Sequence, residues 1–180
     1  MNRRQFLIGT GVASVAVSAV SFGVWFSITP QHEPLTIDFA LAKLERLLAS
    51  KLSKAGEWSL AQMFTHLAQS VEYSMTGYPH HKSALFKGSI GQLAFSAFHT
   101  KGKMTHNLAE EIPGAPLLSV SESPSDIYTA AQRFKASLLA FQQFEAPLHE
   151  HFAYGPLTKV QYEAAHVMHF NNHLIEVQSV

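Results

Sequence analysis

Two segments of this 180-residue chain open with a complete helix-start signal. Ser59 and Gln62 have the spacing of a capping box, in which each side chain satisfies the other residue's backbone N–H. Thr158 and Gln161 repeat the pattern. The apolar residue before each box, Trp58 and Leu157, is placed to staple onto the fourth helical position, Met63 and Tyr162. A further start stands at Ser123, with Pro124 in the first helical position and Asp126 in the third. No stretch alternates apolar and polar residues with period two over a useful length, so no sheet is expected. The prediction is an all-α bundle of four long helices and one shorter or broken one.

The periodicity sets the boundaries. A first helix is predicted over residues 36–54, with Ile37, Leu41, Leu44, Leu48 and Leu52 on one face and Gly56 as its stop. The second, from Ser59 to about Met75, carries His66 and ends before Gly77. The third, over 83–99, contains Gly88 and Gly91. Each costs about 1 kcal/mol in a helix relative to Ala, yet permits close helix contact. Residues 101–121 read as loop around Ile112-Pro113-Gly114-Ala115-Pro116. The fourth helix runs from Ser123 to about Glu145, with Ala130, Phe134, Leu138 and Phe141 inward, and stops at Pro147. The last runs from Thr158 to about Val177.

Composition narrows the function classes. Apolar residues are 47% and charged residues 14%, which excludes a disordered chain or a charged coiled coil. Basic and acidic residues are balanced at 13 each, so the footprint of a nucleic-acid binder is missing and no nucleic-acid partner is expected. With no cysteine, disulfides, zinc-thiolate sites and thiol nucleophiles on the chain are excluded. Histidine is the outlier, at 11 of 180.

Residues 1–28 read as an export segment, followed by a linker over 29–35 and the bundle over 36–180. Arg3 and Arg4 precede an uncharged apolar run, the arrangement of a signal whose arginines stay on the cytoplasmic side. Arg3-Arg4-Gln5-Phe6-Leu7 resembles the twin-arginine signal, which implies the twin-arginine translocon as a partner during export and a periplasmic destination. The run over 6–28 exceeds an ordinary signal core of ~7–15 residues and matches the ~20 that span a bilayer. Ala19-Val20-Ser21 is the nearest approach to a cleavage site. Cleavage and retention as a transmembrane anchor both stay open, with the anchor slightly favoured.

The last predicted helix holds His166, His169 and His173. At ~100° per residue, His173 lies about 40° from His169, His166 about 60° and Tyr162 about 20°. All four project from one strip flanked by Phe170, Leu174 and Val177, which turns it toward the bundle interior. His169 and His173, four apart, are spaced to offer two imidazoles to one ion. His66 supplies a third from a facing helix. Three nitrogens leave a position for water or substrate, as catalytic metal sites do. Nitrogen and oxygen donors suit Zn, Ni, Fe or Mn. Spacing alone leaves a second reading open, in which these are hydrogen-bonded interior histidines. His80, His81, His99, His106 and His149 read as surface residues. His151 is placed to approach the site from its loop.

Several segments resemble one family. They are Trp58-Ser59-Leu60-Ala61-Gln62-Met63-Phe64-Thr65-His66-Leu67, the Ile112–Pro116 loop, and His151-Phe152-Ala153-Tyr154-Gly155-Pro156-Leu157-Thr158 leading to His166, His169 and His173. Together they resemble the DinB/YfiT-like superfamily of four-helix-bundle metalloenzymes, most closely its branch of unknown function numbered fifteen sixty-nine. The resemblance implies an up-down-down-up bundle and a divalent metal held by His66, His169 and His173. His166 is extra to that triad. It would orient a ligand or carry a proton as a catalytic residue, with Tyr162 the second candidate for the proton. Relatives activate a low-molecular-weight thiol for S-transfer or isomerisation, or act as hydrolases. The expected function is an exported metal-dependent hydrolase or thiol S-transferase acting on a small-molecule substrate. The alternative is a non-catalytic bundle that binds a metal or small ligand. A second copy of the chain, as a homodimer, completes the candidate partners.

Overall fold

The structure, a computed structural model, describes residues 33–118 and 123–180. The export segment assigned to residues 1–28 lies outside the described residues. Four helices share the main core: α1 (Ile37–Leu48), α2 (Leu60–Thr76), α5 (Pro124–Gln143) and α6 (Lys159–His173). Between α2 and α5 the chain forms a short turn α3 (Ala84–Phe86), a π-helical segment (Lys87–Gly91) and α4 (Gln92–Lys101).

Local chemistry places the helix starts where the sequence puts them. Both capping boxes form, at Ser59/Gln62 and at Thr158/Gln161. Ser123 accepts from the Asp126 N–H, with Pro124 opening the first turn of α5. Such caps contribute about 1 kcal/mol each. The predicted inward stripe of α5 is buried: α2 packs on α5, and a ladder of rings crosses the core from Phe64 to Phe134 (6.3 Å) and on to Phe170 (5.1 Å, edge-on). Each of these three phenylalanines is fully buried. A smaller cluster joins α4 to α6 through Phe95, Phe98, Ala164, Ala165 and Met168.

Three expectations are corrected. First, the chain does contain a sheet. Leu52–Lys54 (β1) pairs antiparallel with Val177–Ser179 (β2), Leu52 opposite Ser179. So α1 stops at Leu48, and α6 ends at His173 and passes through a 3-10 turn, Leu174–Glu176, into β2. Gly56 is not a helix stop. Its φ of +92 carries the chain around Glu176, whose carboxylate would stand 2.4 Å from an added Cβ. That carboxylate pairs with the buried Lys54 ammonium at 2.6 Å and locks the ribbon.

Second, the transmembrane expectation is corrected for the described residues, where no helix is long and apolar enough to cross a membrane; residues 6–28, on which it was placed, lie outside them. The longest, α5, carries Asp126, Arg133 and Lys135, charges that a bilayer interior would penalise.

Third, the two glycines of the third segment differ. An alanine Cβ at Gly91 would sit 1.9 Å from the Ala153 carbonyl oxygen, whereas at Gly88 it meets nothing within 4 Å. Gly91→Ala should therefore lower stability by about 1–3 kcal/mol through overpacking. Gly88→Ala should leave it unchanged or raise it by about 0.4–1 kcal/mol. Thermal unfolding of the two variants side by side checks this pair; equal melting temperatures would refute the close contact.

Candidate metal centre

Three imidazoles converge between α2 and α6. Their nitrogens, one each from His66, His169 and His173, all lie within 4.8 Å of one another. The Nε2 of His169 is 3.1 Å from the Nε2 of His66 and 3.1 Å from that of His173. The Ser59 cap sets the register of α2, which turns Met63, Phe64, Leu67 and Val71 into the core and His66 beside them. His66 and His173 are 3% and 0% exposed; His169 is half-buried and lines a cavity of about 280 Å³.

Burial holds these rings neutral. It lowers the pKa of His66 to about 3, helped by His106, and that of His173 to about 2, helped by His66, His106 and Lys54. His169 is held well below the usual imidazole range by burial and by His173, His66, His106 and His166. A neutral imidazole nitrogen is either one donor or one acceptor. The Nε2 of His169 therefore cannot satisfy both neighbours by hydrogen bonding. A cation at the common point would satisfy all three lone pairs at once. The 3.1 Å separations approach the ~3.3 Å edge of a tetrahedron with metal–nitrogen bonds of ~2.0–2.1 Å. The residues present fit a divalent ion.

The rings are oriented by packing. The Nδ1 atoms of His66 and His173 are buried with no hydrogen-bond partner among the described residues. Trp58 lies parallel to His173 at 6.0 Å and tilted against His66 at 4.9 Å. The residue expected to staple the start of α2 thus walls the histidine cluster.

The cavity beside the cluster brings in residues of other elements. His166, on the predicted strip, lines it but stands apart from the convergent trio. Its Nε2 is 3.3 Å from Ser74 Oγ, and that hydroxyl donates to the Val71 carbonyl at 2.6 Å. The Ser74 oxygen is left to accept, so His166 carries its proton on Nε2 and its lone pair on Nδ1. His151 is the same tautomer with the other nitrogen engaged. Its Nδ1 accepts from the Ala153 and Tyr154 N–H groups at 3.1 and 3.2 Å, which puts its proton on Nε2. Burial lowers both pKa values to about 3. His151 approaches the site as expected, held in its loop by paired hydrogen bonds to Gly155 and by stacking on Tyr154 at 4.3 Å. The ion pair of Lys87 with Glu150 ties this loop to the π-helical segment. Tyr162 is fully buried and donates its hydroxyl to the His149 carbonyl at 2.8 Å; burial raises its pKa.

His106 is corrected: it is not a surface residue. It is half-buried, lines the cavity, and its ring lies 4.9 Å from His169 and 5.3 Å from His173. It sits in an irregular loop, where no periodicity signals direction. His80, His81, His99 and His149 are exposed, as predicted.

Fold and centre together define a helical bundle whose buried tri-histidine cluster is able to chelate a metal ion and opens on a small-molecule cavity. The chain belongs to the family described as "Protein of unknown function (DUF1569)", which it matches over residues 33–179. No curated protein and no solved structure matches it.

Proposed function

We propose that the chain is an exported, metal-dependent enzyme of the DinB-like kind acting on a small molecule, and that hydrolysis is the chemistry its site supports best. The observation that carries this is the shared point between His66, His169 and His173, whose Nε2 atoms cannot all be satisfied by one another. These three residues would hold the ion. Zn, Ni, Fe and Mn all accept such donors. When bound, the ion acts as a Lewis acid on an oxygen or sulfur at the cavity and lowers its pKa. The remaining work falls to the chain. The Nδ1 lone pair of His166 accepts a hydrogen bond from the attacking group and orients it, and the Nε2–H of His151 donates to a developing oxyanion. Tyr162 acts as a positioning residue, holding the His149 carbonyl two residues before His151.

The test is elemental analysis of untagged folded protein, followed by turnover of esters, amides and thiol conjugates. One equivalent of divalent ion with ester or amide turnover is expected. Turnover of thiol conjugates alone would replace hydrolysis by S-transfer. Metal without turnover would leave a ligand-binding bundle.

His166→Gln should retain metal at near wild-type occupancy and lose about 10–100-fold in rate, the usual effect of an outer-sphere group. A metal-free variant would instead make His166 a ligand.

Export rests on the Arg3-Arg4-Gln5-Phe6-Leu7 pattern. Changing Arg3 and Arg4 to Lys should leave precursor in the cytoplasm. Normal export of that variant would assign the segment to the general secretory route.

A further inference from the structure

We infer that His106 is a fourth nitrogen ligand of the same ion, delivered by the loop that follows α4, with water or substrate entering as a further ligand. The inference rests on the reading of His66, His169 and His173 as a metal centre. Three independent observations carry it.

The first is ring placement. The trio's mutual ring distances are 4.9, 5.1 and 4.9 Å. His106 stands 4.9 Å from His169 and 5.3 Å from His173, a similar spacing to two of the three rings.

The second is its protonation pattern. Nδ1 of His106 is 2.8 Å from the Asn107 carbonyl oxygen, which can only accept. Nδ1 therefore carries the proton and Nε2 the lone pair. That Nε2 is buried and has no hydrogen-bond partner among the described residues. A metal-ligating histidine characteristically donates its other N–H to a carbonyl or carboxylate, and within this cluster His106 meets that condition where His66 and His173 do not. A buried acceptor left without a donor costs about 1–3 kcal/mol, and a cation removes that cost.

The third is the anchoring of the loop. Gly102 turns the chain out of α4 at φ +63, and Met104 packs into the α4–α6 cluster. Ile112 is buried, and Gln69 of α2 reaches the Pro116 carbonyl at 3.4 Å. His106 is held over the centre from both sides. It lies outside the group of nitrogens within 4.8 Å of one another, so ligation requires its ring or its short stretch of loop to close on the ion.

The experiment compares full-length wild type with His106→Ala and His106→Phe. Phenylalanine keeps a ring against His169 and His173 but offers no nitrogen, which separates ligation from packing. Cobalt(II)-loaded protein is examined by NMR for hyperfine-shifted exchangeable imidazole N–H signals, one per ligating histidine. Zinc affinity is measured by competition with a chromophoric chelator. Wild type should give four signals and each variant three. Zinc affinity should fall in both variants by more than the ~10-fold at which outer-sphere losses begin, with helical content unchanged. Three signals in wild type, or wild-type zinc affinity in His106→Phe, would overturn the assignment while leaving a three-histidine centre. Wild-type protein that binds neither cobalt nor zinc would overturn the metal reading itself, and this inference with it.

Discussion

The His169→Ala, His173→Ala double variant should purify as a folded helical bundle without bound metal, while wild type carries one divalent ion. Two of the three convergent nitrogens disappear, and His66, even with His106 nearby, cannot compete with bulk water for the ion. The change removes little of the core, because the phenylalanine ladder and the α2–α5 packing do not involve these rings. Far-ultraviolet circular dichroism should therefore match wild type. The larger effect is on linkage. An ion that binds only the native state stabilises it by about 4.1 kcal/mol at 1,000 times Kd. Wild-type Tm should climb steadily with added zinc, and the variant's should not move. A variant that keeps its metal, or gains the same zinc-dependent Tm, would place the ion elsewhere in the molecule.

Metal-free protein should unfold in mild acid, between about pH 6 and pH 4. His66, His151 and His166 have pKa values lowered to about 3, His173 to about 2, and His169 is lowered well below its ordinary 6.5. In each case burial is the leading cause. Unfolded, each imidazole binds a proton near its ordinary value. As pH falls below about 6.5, the unfolded state takes up protons that the folded state refuses, so stability drops with pH until the folded pKa is reached. The stabilisation is complete above the unfolded value. Each group contributes up to about 1.4 kcal/mol per pH unit within the window, against a total of about 5–15 kcal/mol for a domain. Saturating zinc binds the neutral rings and should shift the midpoint to lower pH. Circular dichroism followed against pH, with chelator and then with zinc, gives both midpoints. A chelated protein still cooperatively folded at pH 3 would show that these imidazoles are not kept neutral by the fold.

The helix starts and the histidine trio were legible because both are short-range patterns on regular structure. Ser59/Gln62 and Thr158/Gln161 report backbone geometry three residues away. His169 and His173 report a helix face, His66 stands on a facing helix as their partner, and the resemblance implies the same three residues. The strip argument was coarser than the molecule. It put His166 and Tyr162 with the trio, whereas the backbone carries His166 to Ser74 and the Tyr162 hydroxyl to His149. The β1–β2 ribbon was not legible: three residues per strand give no period, and the partners are more than a hundred positions apart. His106 was hidden for a related reason. Its direction is set by loop contacts at Met104, Ile112 and Pro116, which no local spacing encodes.

The contact between Gly91 and the Ala153 carbonyl makes one backbone distance into a calliper for the cavity. Phe86, on the segment before Gly91, and Ala153 and Tyr154, on the opposing loop, all line that cavity. The two walls touch where a single Cβ would stand. Whatever residue occupies position 91 thus governs how far apart they are held. Selection or laboratory mutagenesis at that one position, with compensating trims at Ala153 or Phe86, would change the girth of molecule admitted. The histidines would be left as they are. The girth of ligand admitted is in that sense separable from the histidine cluster, and a chain that retains its histidines but carries a larger residue at 91 should favour bulkier ligands.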